Sequence, residues 1–152
     1  MFGIFRKKTE SFFSETEKGQ IVEAIRKAEQ RTSGELRLFV ERRCRFVDPV
    51  MRAKELFLVL KMTETSERNG VLIYVAMKDR QLAVYGDDGI HQKVGNEFWN
   101  REVARMLREF NRENYTTGIV QVIHDIGEAL TTHFPYDGLT DKNELPDDIV
   151  FG

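Results

Sequence analysis

The chain is poor in residues that staple or punctuate a fold. Its 152 residues include one cysteine and three prolines. With Cys44 alone no intramolecular disulfide can form, and nothing points to an oxidising compartment. Set between Arg43 and Arg45, Cys44 reads as a half-buried strand-end cysteine among solvated arginines. No apolar run approaches the roughly 20 residues of a membrane span, so no transmembrane segment is expected. The opening Met1-Phe2-Gly3-Ile4-Phe5-Arg6-Lys7-Lys8 places apolar residues before basic ones, the reverse of a signal peptide. Phe2, Ile4 and Phe5 are expected to pack against the body, and a cytoplasmic, monomeric protein follows. The formal net charge is -2, which leaves no broad basic field for a nucleic-acid backbone.

Several chemistries lack their motifs. There is no GxxxxGK[ST] loop, no GxGxxG fingerprint and no GxSxG elbow. Cys44 has Val50 six positions on, where a cysteine phosphatase loop would carry arginine. His91, His124 and His133 form no HExxH and no other zinc spacing, so zinc is disfavoured. His124 beside Asp125 reads as a helix-surface histidine. The arginines Arg105, Arg108 and Arg112 alternate with Glu102, Glu109 and Glu113, as on a solvated, salt-bridged helix face.

What is present is a hydrophobic content of 41% and a charged content of 32%, as in a soluble globular domain. One domain is expected over residues 14–135, after an N-terminal segment 1–13. A tail over 136–152, of linker-like composition, packs on the domain or trails from it. Ser14 with Glu17 is a capping-box pattern, and Ile21, Ala24, Ile25 and Ala28 then line one helical face. Gly34 suits a left-handed cap. Glu35 to Glu41 alternates loosely, as a strand does. Asp48-Pro49 opens a second helix, with Val50, Ala53, Leu56, Phe57 and Leu60 as its buried face. Gly70 to Met77 is nearly all apolar and predicts a central strand covered on both sides. Lys78-Asp79-Arg80 is a hairpin turn, and Gln81 to Tyr85 the return strand. A third helix carries Val94, Phe98, Trp99, Val103, Met106, Leu107 and Phe110. A fourth, after a Thr116-Thr117 cap, carries Ile119, Ile123, Ile126 and Leu130. The order α-β-α-β-β-α-α gives an α/β fold with helices on both faces of a small mixed sheet.

That topology directs polar groups to one rim. The first two strands are joined by a helix and run parallel, while the third returns antiparallel. Glu35 starts the first strand, Asn69 precedes the second, and Asp87 and Asp88 follow the third. Carboxylates, an amide and backbone carbonyls suit a hard cation, Ca²⁺ first and Mg²⁺ second. Gly86 and Gly89 would let carbonyls turn inward, and Thr63, Glu64, Thr65 and Glu67 would complete the shell. Arg68 reads either as an anion-binding residue or as the partner of Glu64 or Glu67 in a surface salt bridge. His91 lies close enough to serve as a proton donor.

The residues also resemble a known family. Glu29 with Thr32-Ser33-Gly34-Glu35-Leu36 looks like the opening of the TPM domain. Ala53 to Met62, then Glu67-Arg68-Asn69-Gly70-Val71-Leu72-Ile73-Tyr74-Val75, is similar to its central block. Gly86-Asp87-Asp88-Gly89-Ile90 resembles its acidic turn, Phe98-Trp99 its aromatic pair, and Asn143-Glu144-Leu145-Pro146-Asp147 a tail of its short members. The resemblance runs from about Ser11 to Ile149. It implies a three-layer α/β/α sandwich able to bind divalent cations, with some members described as acid phosphatases. On matching positions it assigns Asp87 and Asp88 to the acidic turn, Asn69 to the RNG segment and Glu35 to the first strand. Three functions then compete. One is a cation-binding module with a regulatory or protein-interacting role. Another is a metal-dependent phosphomonoesterase using Asp87 or Asp88, Arg68 and His91. The third is a scaffold without a ligand.

Overall fold

A computed structural model of the chain describes residues 9–45, 48–138 and 148–152. Met1 to Lys8, with the expected packing of Phe2, Ile4 and Phe5, and the stretch Asn143 to Asp147 lie outside the described residues. The elements run α1 (Glu15–Glu29), β1 (Glu35–Glu41), α2 (Pro49–Val59), β2 (Gly70–Ala76), β3 (Gln81–Gly86), α3 (Asp88–Val94), α4 (Asn96–Asn111), α5 (Tyr115–His133) and β4 (Val150–Phe151). The sheet order is β3-β2-β1-β4. β1 and β2 are parallel with Glu35 opposite Gly70, and β3 is antiparallel to β2 with Gly86 opposite Val71.

The sheet is covered on both faces, which makes a three-layer α/β/α sandwich. Leu36, Leu38, Val40, Val71, Ile73 and Val75 face one way, into a core shared with α1, α3, α4 and α5. Phe39, Leu72, Tyr74, Ala76 and Ala83 face the other, against Ala53, Leu56 and Phe57 of α2. This double cover explains why every residue of β2 is buried. Among the described residues no helix is long and apolar enough to cross a membrane.

Local signals set the helix starts. Ser14 and Glu17 form the reciprocal capping box of α1, and the Asp48 side chain accepts from the Val50 backbone N–H ahead of Pro49. Other expectations are corrected. Gly34 is not among the positive-φ residues. It is small because a Cβ there would lie 2.7 Å from Leu130 Cδ2. The third expected helix is two, α3 and α4, broken at Gly95, whose φ of 79° leaves the helical region. Thr116 lies inside α5 and donates to Glu17 Oε2 at 2.8 Å instead of capping. Asn114 takes the N-cap position.

Burial also departs from the apolar pattern. Val50 and Leu107 are exposed, whereas Arg52 of α2 and Glu102 of α4 are buried. Arg52 turns inward because Glu41, at the end of β1, accepts from its Nε and Nη2 at 2.9 and 3.0 Å. Glu102 therefore leaves the solvated arginine–glutamate face on which periodicity placed it. The tail contributes a fourth strand, with Phe39 opposite Val150 and Val40 opposite Phe151. Two residues are too few for alternation to mark.

Candidate metal centre

The rim at the start of β1 and β2 and the end of β3 is tied together by the main chain. Glu35 N–H donates to Asn69 O at 3.4 Å, and Asp87 N–H donates to Gly70 O at 2.9 Å. The four residues singled out by topology thus lie on neighbouring strand ends. Their side chains divide into distinct settings.

Asp87 is 3% exposed and caps α3. Its Oδ1 accepts from the Asp88 N–H at 2.8 Å, and its backbone carbonyl accepts from His91 N–H at 2.8 Å. The carboxylate is clamped by Arg68, with Nε to Oδ2 at 2.7 Å and Nη2 to Oδ1 at 2.8 Å. Arg68 therefore pairs with Asp87 and not with Glu64 or Glu67. Its side chain is 47% exposed while that of Asp87 is 4% exposed, so the guanidinium is the accessible partner. The paired carboxylate raises the arginine above its ordinary pKa. Asp88 is far more open, with a side chain 77% exposed and 4.0 Å from Arg68. The acidic turn also acts on Tyr85, whose phenol is pushed up first by burial, then by Asp87 and Asp88.

Asn69 belongs to a second cluster. It is 1% exposed, and its backbone N–H donates to Thr65 Oγ1 at 3.2 Å. Its Nδ2 donates to Ser33 Oγ at 3.2 Å and to Glu67 Oε2 at 3.4 Å, while Ser33 Oγ donates to Glu67 Oε2 at 2.7 Å. Asn69 Oδ1 is buried and accepts no hydrogen bond. A buried acceptor in that state costs its desolvation, and native proteins rarely keep one without a ligand, a water or a strain to account for it. Ser33 is the residue that sequence reasoning missed. It sits in a turn whose glycine and acidic neighbour drew the attention, and it meets Glu67 only across 34 positions.

Glu35 is 2% exposed, inside the sheet. Its carboxylate contributes to the field at Arg37, a guanidinium that burial lowers while Asp148, Glu29 and Glu35 pull it back up. His91 is half-buried, and its Nδ1 accepts from Trp99 Nε1 at 2.9 Å. That bond leaves Nε2 to carry the proton of the neutral ring.

The glycines of the acidic turn answer to packing. A Cβ on Gly89 would lie 2.6 Å from the Arg68 carbonyl oxygen and closer still to that of Glu67. A Cβ on Gly86 would lie 2.8 Å from Trp99 Cη2. Gly89 thus admits two loop carbonyls against the turn, and Gly86 admits the indole.

Among the described residues no three His, Cys, Asp or Glu side chains gather as a ready metal cluster. The donors at the rim are oxygens of mixed type, which suits a hard cation. Asn69 Oδ1 with Glu67 and Ser33 fits one. Asp87 fits only with its guanidinium partner displaced or shared.

Similarity to known proteins converges on one family. The TPM domain model matches residues 7–129. The NMR structure of the BA42 protein from the psychrophilic bacterium Bizionia argentinensis is 40% identical, with a TM-score of 0.83 over 93% of this chain and 96% of that one. The N-terminal domain of the cg2496 protein from Corynebacterium glutamicum shares the fold at 12% identity, with a TM-score of 0.56 over 78% of this chain and 74% of that one. No curated protein matches. The oxygen-lined rim described above therefore sits on a chain that belongs to the TPM domain family.

Proposed function

We propose that this TPM domain binds a divalent cation, Ca²⁺ or Mg²⁺, at the rim and works as a regulatory module. One observation carries the reading: the buried side-chain oxygen of Asn69, Oδ1, accepts no hydrogen bond beside the Glu67 carboxylate and the Ser33 hydroxyl. Asn69, Glu67 and Ser33 would hold the ion, and Asp87 and Asp88 would supply negative charge from the adjoining turn. The bound ion would join the ends of β1 and β2 to the 61–69 loop. Glu35 would act from within the sheet, through its backbone bond to Asn69 and its charge.

Isothermal titration with CaCl₂, and separately with MgCl₂, tests this reading. Wild type should give saturable heat, and Asn69→Ala and the Asp87→Ala, Asp88→Ala pair should each lose most of it. Equal heats from all three proteins would discard the site. Binding should also stabilise the folded state by mass action, by about 2.7 kcal/mol at a hundredfold excess over Kd, and so raise the melting temperature.

A second reading, a metal-dependent phosphomonoesterase, draws on two features. Arg68 offers a half-exposed guanidinium suited to a phosphate oxygen. His91 has its tautomer fixed by Trp99, which leaves Nε2–H free to donate a hydrogen bond to the charge that develops on a leaving oxygen. A metal bound at the rim would supply Lewis-acid polarisation of the phosphate. Turnover of a chromogenic phosphate ester that needs cation and disappears in both Asp87→Asn and His91→Gln would favour it. Turnover indifferent to those changes belongs to a contaminant.

A further inference from the structure

Beside the C-terminal end of α3, α4 and α5 meet across a buried carboxyl. Glu102 is 2% exposed, and its Oε1 has no hydrogen-bond partner. It neighbours Asp125 of α5, both carboxyl groups lying within 3.9 Å of Arg105 Nη1, and burial and Asp125 both push it towards the protonated form. Two carboxyl groups can hydrogen-bond to each other only when a proton lies between them. The charged surroundings come from every element packed there. Arg105 donates to Asp125 at 2.6 Å and stands 3.9 Å from Glu102, and Arg101 adds a second guanidinium from α4. Lys93 of α3, Glu97 of α4, and Glu128 and His133 of α5 line the same open cleft, of about 600 Å³. Glu128 is already engaged by Arg31 at 2.8 Å. Burial and Asp125 disfavour ionisation of Glu102, Arg105 and Arg101 favour it, and burial and Asp125 prevail. The open cleft gives the proton a route to solvent.

What makes this seam more than local is Trp99, one helical turn before Glu102. The indole packs where Gly86 leaves room and donates to His91 Nδ1, so α4 connects the seam to the rim. We infer that Glu102 and Asp125 share one proton across the α4–α5 seam, and that its loss shifts α4 and disturbs the Trp99–His91 contact at the rim. On rising pH the shared proton passes to a base in the cleft water. Glu102 then becomes a buried anion beside the partly exposed Asp125 carboxylate, and the hydrogen bond is lost to repulsion. The inference does not depend on cation binding.

Trp99 is the single tryptophan of the chain, so its emission and its indole N–H resonance report its own surroundings, the bond to His91 among them. Both are followed in the intact protein from mildly acidic to alkaline pH. Wild type should show one transition in both signals. Glu102→Gln, which keeps the uncharged shape, should abolish it. Asp125→Asn, which can donate to an ionised Glu102 and carries no charge, should move it to lower pH. A flat wild-type profile would overturn the inference, as would an unchanged transition in Glu102→Gln. Should Glu102→Gln fail to fold, Asp125→Asn decides: a lowered midpoint supports the shared proton and an unmoved one refutes it.

Discussion

The two ends of the β1–β2 pair handle charge in opposite ways. At the Glu41 end, the carboxylate accepts two hydrogen bonds from Arg52 and one from the Tyr74 hydroxyl, and Arg52 also reaches Glu55. Both members of the central pair are buried, at 7% and 10% side-chain exposure. Tyr74 is pushed far above its ordinary pKa by burial and by Glu41. At the Glu35 end, Arg68 is half exposed, Asp88 lies open to solvent, and Asn69 Oδ1 is left unbonded. The first end engages its polar groups with one another. The second keeps donors and acceptors in reserve. A dense polar network marks structural work; an incomplete one beside exposed charge marks a candidate site.

The largest effect should come from opening the closed end. Arg52→Ala leaves Glu41 buried without its cation and should destabilise by about 3–5 kcal/mol, read from urea unfolding. Replacing both partners, as Arg52→Met with Glu41→Leu, should recover most of that loss, because the pair's desolvation cost disappears with it. A double variant as unstable as the single one would break the distinction between the two ends. Gly89→Ala should cost about 1–3 kcal/mol, since its Cβ drives into the Glu67 and Arg68 carbonyls. It should also lower cation affinity through the displaced loop. Asn69→Ala should cost only about 1 kcal/mol, because it removes two weakly made donor contacts together with an unsatisfied acceptor. An Asn69 loss as large as that of Arg52 would mean the rim is structural after all.

Much of this was legible from residues. The continuous apolar run of β2 announced a doubly covered strand, and Asp48-Pro49 and Ser14 with Glu17 announced their helices. The parallel and antiparallel pairings brought Glu35, Asn69 and Asp87 to one end, as chain direction required. The side-chain partnerships were not legible. Arg68 has two glutamates close in sequence, yet its partner is Asp87, brought near by the hairpin 19 positions on. Arg52 lies outside the apolar spacing of its helix, and only the facing Glu41, across the fold, draws it inward; Glu102 sits in an arginine–glutamate stripe, so periodicity assigned it to water although it is buried. The apolar spacing from Val94 to Phe110 continues through Gly95, so a break made by one positive φ left no mark on the pattern.

Cation binding at the rim is open to a heteronuclear NMR titration with CaCl₂ that follows the Asn69 side-chain amide together with the backbone amides of Ser33, Glu67, Asp87 and Asp88. These resonances should shift together and saturate, while those of Glu41 and Arg52 at the opposite end stay in place. Resonances at the rim that do not move, or that drift without saturating as the signals of the whole surface do, would contradict that binding.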